Sequence, residues 1–314
     1  MVKLGIIGLG HMGAFHHSIS QTIPNVELIG VSDPVIKNWS KVKSPKILKA
    51  KHYRKWLDIV DAVIIAVPTT LHYDIAKDCL LKGKHVLIEK PLTKNLAEAE
   101  ELFDIAKKNK LALHVGHVER FNGAVQEIQK IVNEPYLIEC QRIGSFSPRV
   151  QNDSVALDLM IHDLDLVLNL VDSPLKSMNM VGSKIKTDTG DLAVVQLKFE
   201  NGVLANLTSS RVSQIKKRTM SIHQKDAFIQ LDFTTQEIYI HSRATASVKV
   251  GSKQMKYKQE GNIKRLFVYN ENPLKSEIEN FIKAVKTGKK VRNATHDMKA
   301  LEVALELENL MRSC

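Results

Sequence analysis

The chain has 314 residues, 44% of them hydrophobic and 5% aromatic, and its 45 lysines and arginines against 34 acids give a formal net charge of +11. That length suits about two domains, and no apolar run reaches the ~18 residues of a membrane-crossing helix, so no membrane partner is expected. The positive charge is spread along the chain, without aromatic interleaving or a recognition-helix pattern, so no nucleic-acid partner is expected either; solvated lysine faces or a polyanionic small substrate account for it.

The opening, MVKLGIIGLG, has one lysine and no small-residue cleavage site. It reads as a strand and not as a leader, which makes a cytoplasmic protein the expectation. Cys79, Cys140 and Cys314 lack metal-ligand spacing, and their odd number closes no disulfide framework; reduced thiols and no metal are expected.

Residues 2–7 read as a short apolar strand, 11–22 as a helix and 26–32 as a second strand. Residues 62–67, AVIIAV, form an unbroken apolar run, as in a strand covered on both faces. A helix over 71–82, a strand over 86–89, a helix over 96–108 and a strand over 111–115 follow. Alternating strands and helices imply a parallel, doubly wound sheet. The pattern changes near residue 122. Helices are expected over 124–132 and 156–170, then mostly strands from 176 to 250, with Asn201-Gly202 as a hairpin turn. Residues 251–265 are polar and basic and read as an exposed loop. Helices over 274–285 and 295–311 close the chain. The expected architecture is α/β: a Rossmann domain over 1–121, then an α+β domain over 122–314 with a large, mainly antiparallel open sheet.

Gly8, Gly10, His11, Met12 and Gly13 lie between the first strand and the first helix. Glycines there suit a tight turn, close approach to a pyrophosphate and close helix packing, and the helix N-terminus offers free N–H groups. GxGxxG alone is weak, but Asp33 lies about 20 residues beyond, at the end of the second strand. A carboxylate there accepts hydrogen bonds from an adenosine ribose and repels a 2′-phosphate, which favours NAD over NADP. Pro68, Thr69, Thr70 and His72 follow the next strand, on the same rim. The threonines suit ribose or phosphate oxygens, or an N-cap on the helix that follows.

Lys90 ends a strand on that rim, beside Glu89, and Pro91 restricts it to extended backbone. Its ammonium is expected in the cofactor crevice, as a contact of the nicotinamide cofactor, where it could polarise or deprotonate a substrate hydroxyl, or else it simply reaches solvent; Glu89 could bond that ammonium or the cofactor ribose. In VALDLMIHDLDLVLNL (155–170), Asp158 and His162 share one helix face, with Asp165 adjacent. A histidine held by carboxylates in an apolar helix suits general acid/base work; a satisfied core histidine is the alternative.

These motifs together, GLGHMG, PTTLH, EKPLT and Asp158-x-x-x-His162 in this order, resemble the Gfo/Idh/MocA family of nicotinamide-dependent sugar oxidoreductases along essentially the whole chain. The resemblance implies that Lys90, Asp158 and His162 form the catalytic set, and that the second domain's sheet carries substrate and oligomer contacts, as in a homodimer or homotetramer. Within the family, VGHVERFNGAV, the stretch 148–166 and FENGVLANLTSSRVSQIKKR resemble the UDP-N-acetylglucosamine 3-dehydrogenases, with Gly123 departing from their usual proline. That likeness implies a nucleotide-sugar substrate, oxidised at C3 towards the 2,3-diamino sugars of lipid A. Dehydrogenases of other sugars, of inositol or of UDP-sugar uronates, and non-catalytic regulators, are the family's alternatives. For such a substrate, Arg120, Asn122, Arg149 and Arg211 are candidates: arginines for the diphosphate and Asn122 for a sugar hydroxyl. An interdomain salt bridge is the alternative for Arg120, and a solvated basic turn for Lys216 and Lys217.

Overall fold

A computed structural model describes residues 1–147, 153–242, 247–251, 254–258, 261–268, 271–288 and 294–313. The chain divides into two compact units: Met1–Phe121 with Glu271–Leu305, and Asn122–Asn270 with the residues from Glu306 on.

The first unit runs β1 (Val2–Ile7), α1 (His11–Ser20), β2 (Val26–Ser32), β3 (Leu48–Ala50), β4 (Ala62–Ile65), α2 (His72–Leu81), β5 (His85–Glu89), α3 (Leu96–Lys108) and β6 (Leu113–Gly116). The strands are all parallel, in the order β3-β2-β1-β4-β5-β6. The sheet is doubly wound, with its reversal of strand order at β1. The unbroken apolar run of β4 is explained by its two faces. Val63 and Ile65 join one core with α2 and α3, while Ala62 and Ile64 join the other. Trp56 is fully buried and lies across β1 and β2; a Cβ on Gly5 or Gly30 would fall 2.1 Å or 2.6 Å from its ring. Its indole Nε1 donates to Val31 O at 3.2 Å, so the ring is both packed and satisfied.

The second unit runs α4 (Gly123–Ile131), β7 (Pro135–Ile143), α5 (Ile161–Leu170), β8 (Leu175–Ser183), β9 (Leu192–Phe199), β10 (Leu204–Ser210), β11 (Lys217–Gln224), β12 (Ala227–Asp232) and β13 (Glu237–Ser242). The hairpin β14 (Ser247–Gly251) and β15 (Gln254–Lys258) and the edge strand β16 (Asn262–Leu266) follow. The large sheet has the order β16-β13-β12-β11-β7-β10-β9-β8, antiparallel except for β7 with β10. Helices α6 (Pro273–Thr287) and α7 (Ala294–Ser313) end the described chain. Among the described residues, no helix is long and apolar enough to cross a membrane.

Three expectations are corrected. The second domain does not hold 122–314 as one piece: Leu274, Ile278, Phe281 and Ile282 of α6 bury their apolar face in the first unit's core, with Leu4, Ile6 and Leu87. Residues 251–265 contain paired strands, because β16 is an edge strand whose pairing uses backbone and leaves its polar side chains outward. Strand β7 was not foreseen, although it lies inside the sheet between β10 and β11. Its inward face includes Arg142, which breaks the apolar alternation. Cys79 and Cys140 are buried free thiols; Cys314 lies outside the described residues.

Candidate active site

In the first unit the sequence-predicted residues gather at the carboxyl ends of β1, β2, β4 and β5. Gly8 has φ of +92°, and a Cβ there would fall 2.3 Å from Ala66 O. A Cβ on Gly13 would lie 2.0 Å from Gly8 O, so the helix sits directly on the turn. Gly10, by contrast, faces open space, and as the N-cap of α1 it makes no side-chain cap bond. The first-turn N–H groups of α1 therefore point into an accessible cradle of the kind that suits a phosphate. His11 and Met12 begin this helix, with His11 packed edge-on to Phe15.

Asp33 is 6% exposed. Its Oδ2 accepts from Leu9 N at 2.7 Å and its Oδ1 from Val35 N at 2.8 Å. It fastens the glycine turn to the end of β2, and the remaining lone pair of each oxygen is what a ribose hydroxyl could use. Lys41, which the sequence reading did not single out, donates to Leu9 O at 2.7 Å and Gly10 O at 3.3 Å. Nothing in its spacing could have marked it.

Pro68 and Thr70 are exposed and Thr69 is half-buried. The N-cap of α2 is Leu71, without a side-chain cap bond, so neither threonine caps the helix. His72 does not face a ligand. It is 1% exposed, with Nδ1 2.9 Å from Pro91 O and Nε2 2.9 Å from Val67 O. Its expected place among the cofactor contacts is corrected, because both ring nitrogens are occupied by main-chain carbonyls. Burial pushes its pKa below the ordinary value, against the carbonyl bonds and the nearby charge of Glu89.

Lys90 is half-buried directly beyond β5, and its peptide bond to Pro91 is cis. Glu89 accepts from His16 Nε2 at 2.7 Å. Burial works against the Glu89 charge, but the His16 hydrogen bond and the charges of His16, Lys90 and His72 outweigh it and hold the carboxyl below its ordinary value. Gly116 of β6 allows this placement, since a Cβ there would come within 3.2 Å of Glu89 Oε2. Glu277 of α6 is buried, with no hydrogen-bond partner on either oxygen among the described residues. Burial, then the Glu89 charge, push its pKa well up, with Arg120 opposing. Arg120 itself pairs with Asp297 at 2.7 Å inside the same unit.

In the second unit a single π-helical turn, Ala156–Met160, leads into α5. Such turns recur at functional sites because they shift the register of the side chains. Here Asp158, Leu159 and His162 are half-buried while most residues around them are buried, so Asp158 and His162 share the accessible side. Asp158 lines a cavity of about 220 Å³ together with Arg142, Ser145, Ser147, Arg211, Lys216 and Arg218.

These cations differ in role. Arg142 is 2% exposed and grips Asp163 through Nε and Nη2, at 2.8–3.1 Å. Arg211 is held by Asp191 at 2.9 Å, by Asp153 O and by the hydroxyls of Thr187 and Thr189 at 2.8 Å. Its expected role as a diphosphate clamp is corrected to that of a cavity wall, because these bonds take most of its donors. Asp191 is opposed by burial but stabilised by the backbone N–H groups of 185–187 and by Arg211, which hold its carboxyl well below the usual range. Lys216 is exposed and Arg218 half-buried. Asn122 is likewise corrected: 1% exposed, it caps α4 through Ala124 N and donates to Phe233 O at 3.1 Å, which leaves it buried away from a sugar. Arg149 lies outside the described residues.

Residues 2–117 match the family model described as the oxidoreductase family with an NAD-binding Rossmann fold, GFO_IDH_MocA, and residues 123–230 match the GFO/IDH/MocA C-terminal domain. The chain is 34% identical over 249 residues to the UDP-N-acetylglucosamine 3-dehydrogenase of Acidithiobacillus ferrooxidans, covering 79% of each. It is 26% identical over 230 residues to the myo-inositol 2-dehydrogenase of Thermotoga maritima, covering 67% of this chain and 69% of that one. Among solved structures, the A. ferrooxidans UDP-N-acetylglucosamine 3-dehydrogenase GnnA superposes with a TM-score of 0.89 at 29% identity, covering 99% of this chain and 98% of that one.

Proposed function

The chain belongs to the Gfo/Idh/MocA oxidoreductase family, and on that premise we propose that it is an NAD-dependent dehydrogenase of a sugar secondary alcohol, acting at C3 of UDP-N-acetylglucosamine. The observation that carries the substrate class is the basic cavity of the second unit. There Lys216 and Arg218 share a lining with Asp158, which sets cations for a diphosphate beside a carboxylate for the reacting sugar. The 34% identical relative that acts on UDP-N-acetylglucosamine supports the same reading.

When bound, the nicotinamide supplies the acceptor for the hydride of the sugar carbon. Gly8, Gly10, Gly13 and the first-turn N–H groups of α1 would hold its pyrophosphate, Asp33 its adenosine ribose, and Thr69 and Thr70 further oxygens. The Asp33 charge disfavours a 2′-phosphate, which supports the reading of NAD over NADP. His162, oriented by Asp158, takes the proton of the C3 hydroxyl. Lys90 donates a hydrogen bond to the same oxygen and stabilises the negative charge that develops there. The C–H pair leaves as hydride, the O–H proton goes to His162, and the carbonyl of a 3-keto sugar nucleotide forms. Lys90 and His162 can exchange these roles; pH profiles of the single variants separate the two cases.

We also propose that the protein is a cytoplasmic homodimer or homotetramer whose product feeds a glutamate-dependent aminotransferase towards the 2,3-diamino sugars of lipid A. Rings of Tyr136, His223, Phe228 and His241 contact one another in a row across β7, β11, β12 and β13, and Tyr136 is 57% exposed, leaving surface for a second copy to cover. The test is NADH formation from NAD with a panel of UDP-sugars, uronates and inositols, repeated with the aminotransferase and glutamate to draw off an unfavourable product. Turnover of UDP-N-acetylglucosamine supports the reading. Turnover of inositol alone reassigns the substrate, and tight NAD binding without turnover of any sugar makes the protein a sensor.

A further inference from the structure

The His72 imidazole joins two segments of the cofactor rim. Val67 follows β4 and carries the chain into Pro68-Thr69-Thr70; Pro91 follows Lys90 at the end of β5. Both carbonyls lie 2.9 Å from a ring nitrogen of His72, and the ring is 1% exposed. The chain beyond Lys90 is equally enclosed: Leu92 and Thr93 are buried, and Thr93 Oγ1 donates to Asn95 O at 2.7 Å. Lys90 thus leaves the strand from a backbone whose next carbonyl is pinned from one side by a histidine and whose following residues are packed. Carbonyls only accept, whereas a neutral imidazole has one N–H, so only one of the two contacts is a hydrogen bond, and that one is the brace.

We propose that His72 is the positioning residue for Lys90, with Nδ1 as the nitrogen that donates, to the Pro91 carbonyl. This rests on the reading of Lys90 as a residue that touches the reacting oxygen. The brace would hold the Lys90 ammonium where it meets the substrate hydroxyl, and losing about 1 Å of that placement costs up to about 10²-fold in turnover.

The test compares His72→Asn, His72→Gln and His72→Ala with the parent and with Lys90→Ala. An asparagine amide nitrogen stands near the Nδ1 position and can still donate to Pro91 O; a glutamine amide reaches the Nε2 position and Val67 O. With UDP-N-acetylglucosamine and NAD, kcat should follow the order parent, H72N, H72Q, with about tenfold between the two variants, the value of one hydrogen bond. The Kd for NAD should change little. An activity-independent readout is the labelling rate of Lys90 by an amine-reactive reagent, followed by peptide mass spectrometry: H72A and H72Q should shift it and H72N should not. Parent-like labelling and turnover in H72A would overturn the inference. So would equal losses in H72N and H72Q that track melting temperature, which would reduce His72 to a packing residue. If Lys90→Ala keeps parent turnover, the functional reading itself fails; if Lys90→Ala is inactive while H72A is not, only the brace fails.

Discussion

His16 Nε2 donates to Glu89 Oε1 at 2.7 Å, which ties the inner side of α1 to the last residue of β5, one position before Lys90. The helix that opens at the glycine cradle is thereby locked to the strand that delivers the lysine. Glu89 has a depressed pKa, so its contribution to stability is present above the unfolded value near 4.5 and is lost as pH falls through the folded value. His16→Ala should cost about 1–3 kcal/mol at neutral pH, through a mostly buried carboxylate that loses its hydrogen bond. Urea melts from neutral pH downward should show the gap between variant and parent narrowing below 4.5. A gap that stays constant with pH would mean that the pair does not hold the Glu89 charge.

Glu277 behaves in the opposite sense. Its folded pKa is raised, so the stability it contributes is present below the unfolded value of 4.5 and is lost as pH climbs towards the folded value. Glu277→Gln should therefore flatten the fall in melting temperature above 4.5 and leave acid stability little changed. An identical pH dependence in the two proteins would place the Glu277 carboxyl near its ordinary value.

The Trp56 ring leaves no room for a Cβ on Gly30, whose nearest ring atom is 2.6 Å away. Gly30→Ala should destabilise by about 1–3 kcal/mol through overpacking and shift the tryptophan emission. Unchanged stability would mean that the ring re-seats without loss.

Around the basic cavity, the cations should separate by function. Lys216→Ala should raise KM for the UDP-sugar about tenfold, as expected for a lost charged hydrogen bond, with NAD affinity and melting temperature unchanged. Arg211→Ala removes the partner of buried Asp191 and should instead cost about 3–5 kcal/mol of stability. A purely kinetic effect of Arg211→Ala would return it to the substrate.

The fold was most legible where the signal is local. The unbroken run of β4 and the glycines before α1 announced a covered parallel strand and a phosphate turn, because two buried faces and a positive φ each select residue types directly. Strand β7 was hidden by Arg142, whose charge is cancelled by Asp163 from another element. The return of α6 to the first unit was hidden too, because an amphipathic helix does not say which core it covers. Asn122 looked available for a ligand because it donates to a carbonyl 111 residues away, whereas His72 and Arg211 are taken by partners 5 to 58 residues away that no residue-type pattern announces, half of them main-chain carbonyls. The chemical types at the site were readable, but which donors the protein spends on itself was not.

In the proposed reaction Lys90 acts on the reacting oxygen, and replacing it should leave NAD binding nearly intact. The direct measurement is single-turnover NADH formation by Lys90→Ala with saturating NAD and UDP-N-acetylglucosamine, alongside calorimetric titration with NAD. The rate should fall by about 10²–10⁴-fold with NAD affinity near that of the parent. A parent-like rate, or a loss of rate explained entirely by lost NAD binding, would contradict it.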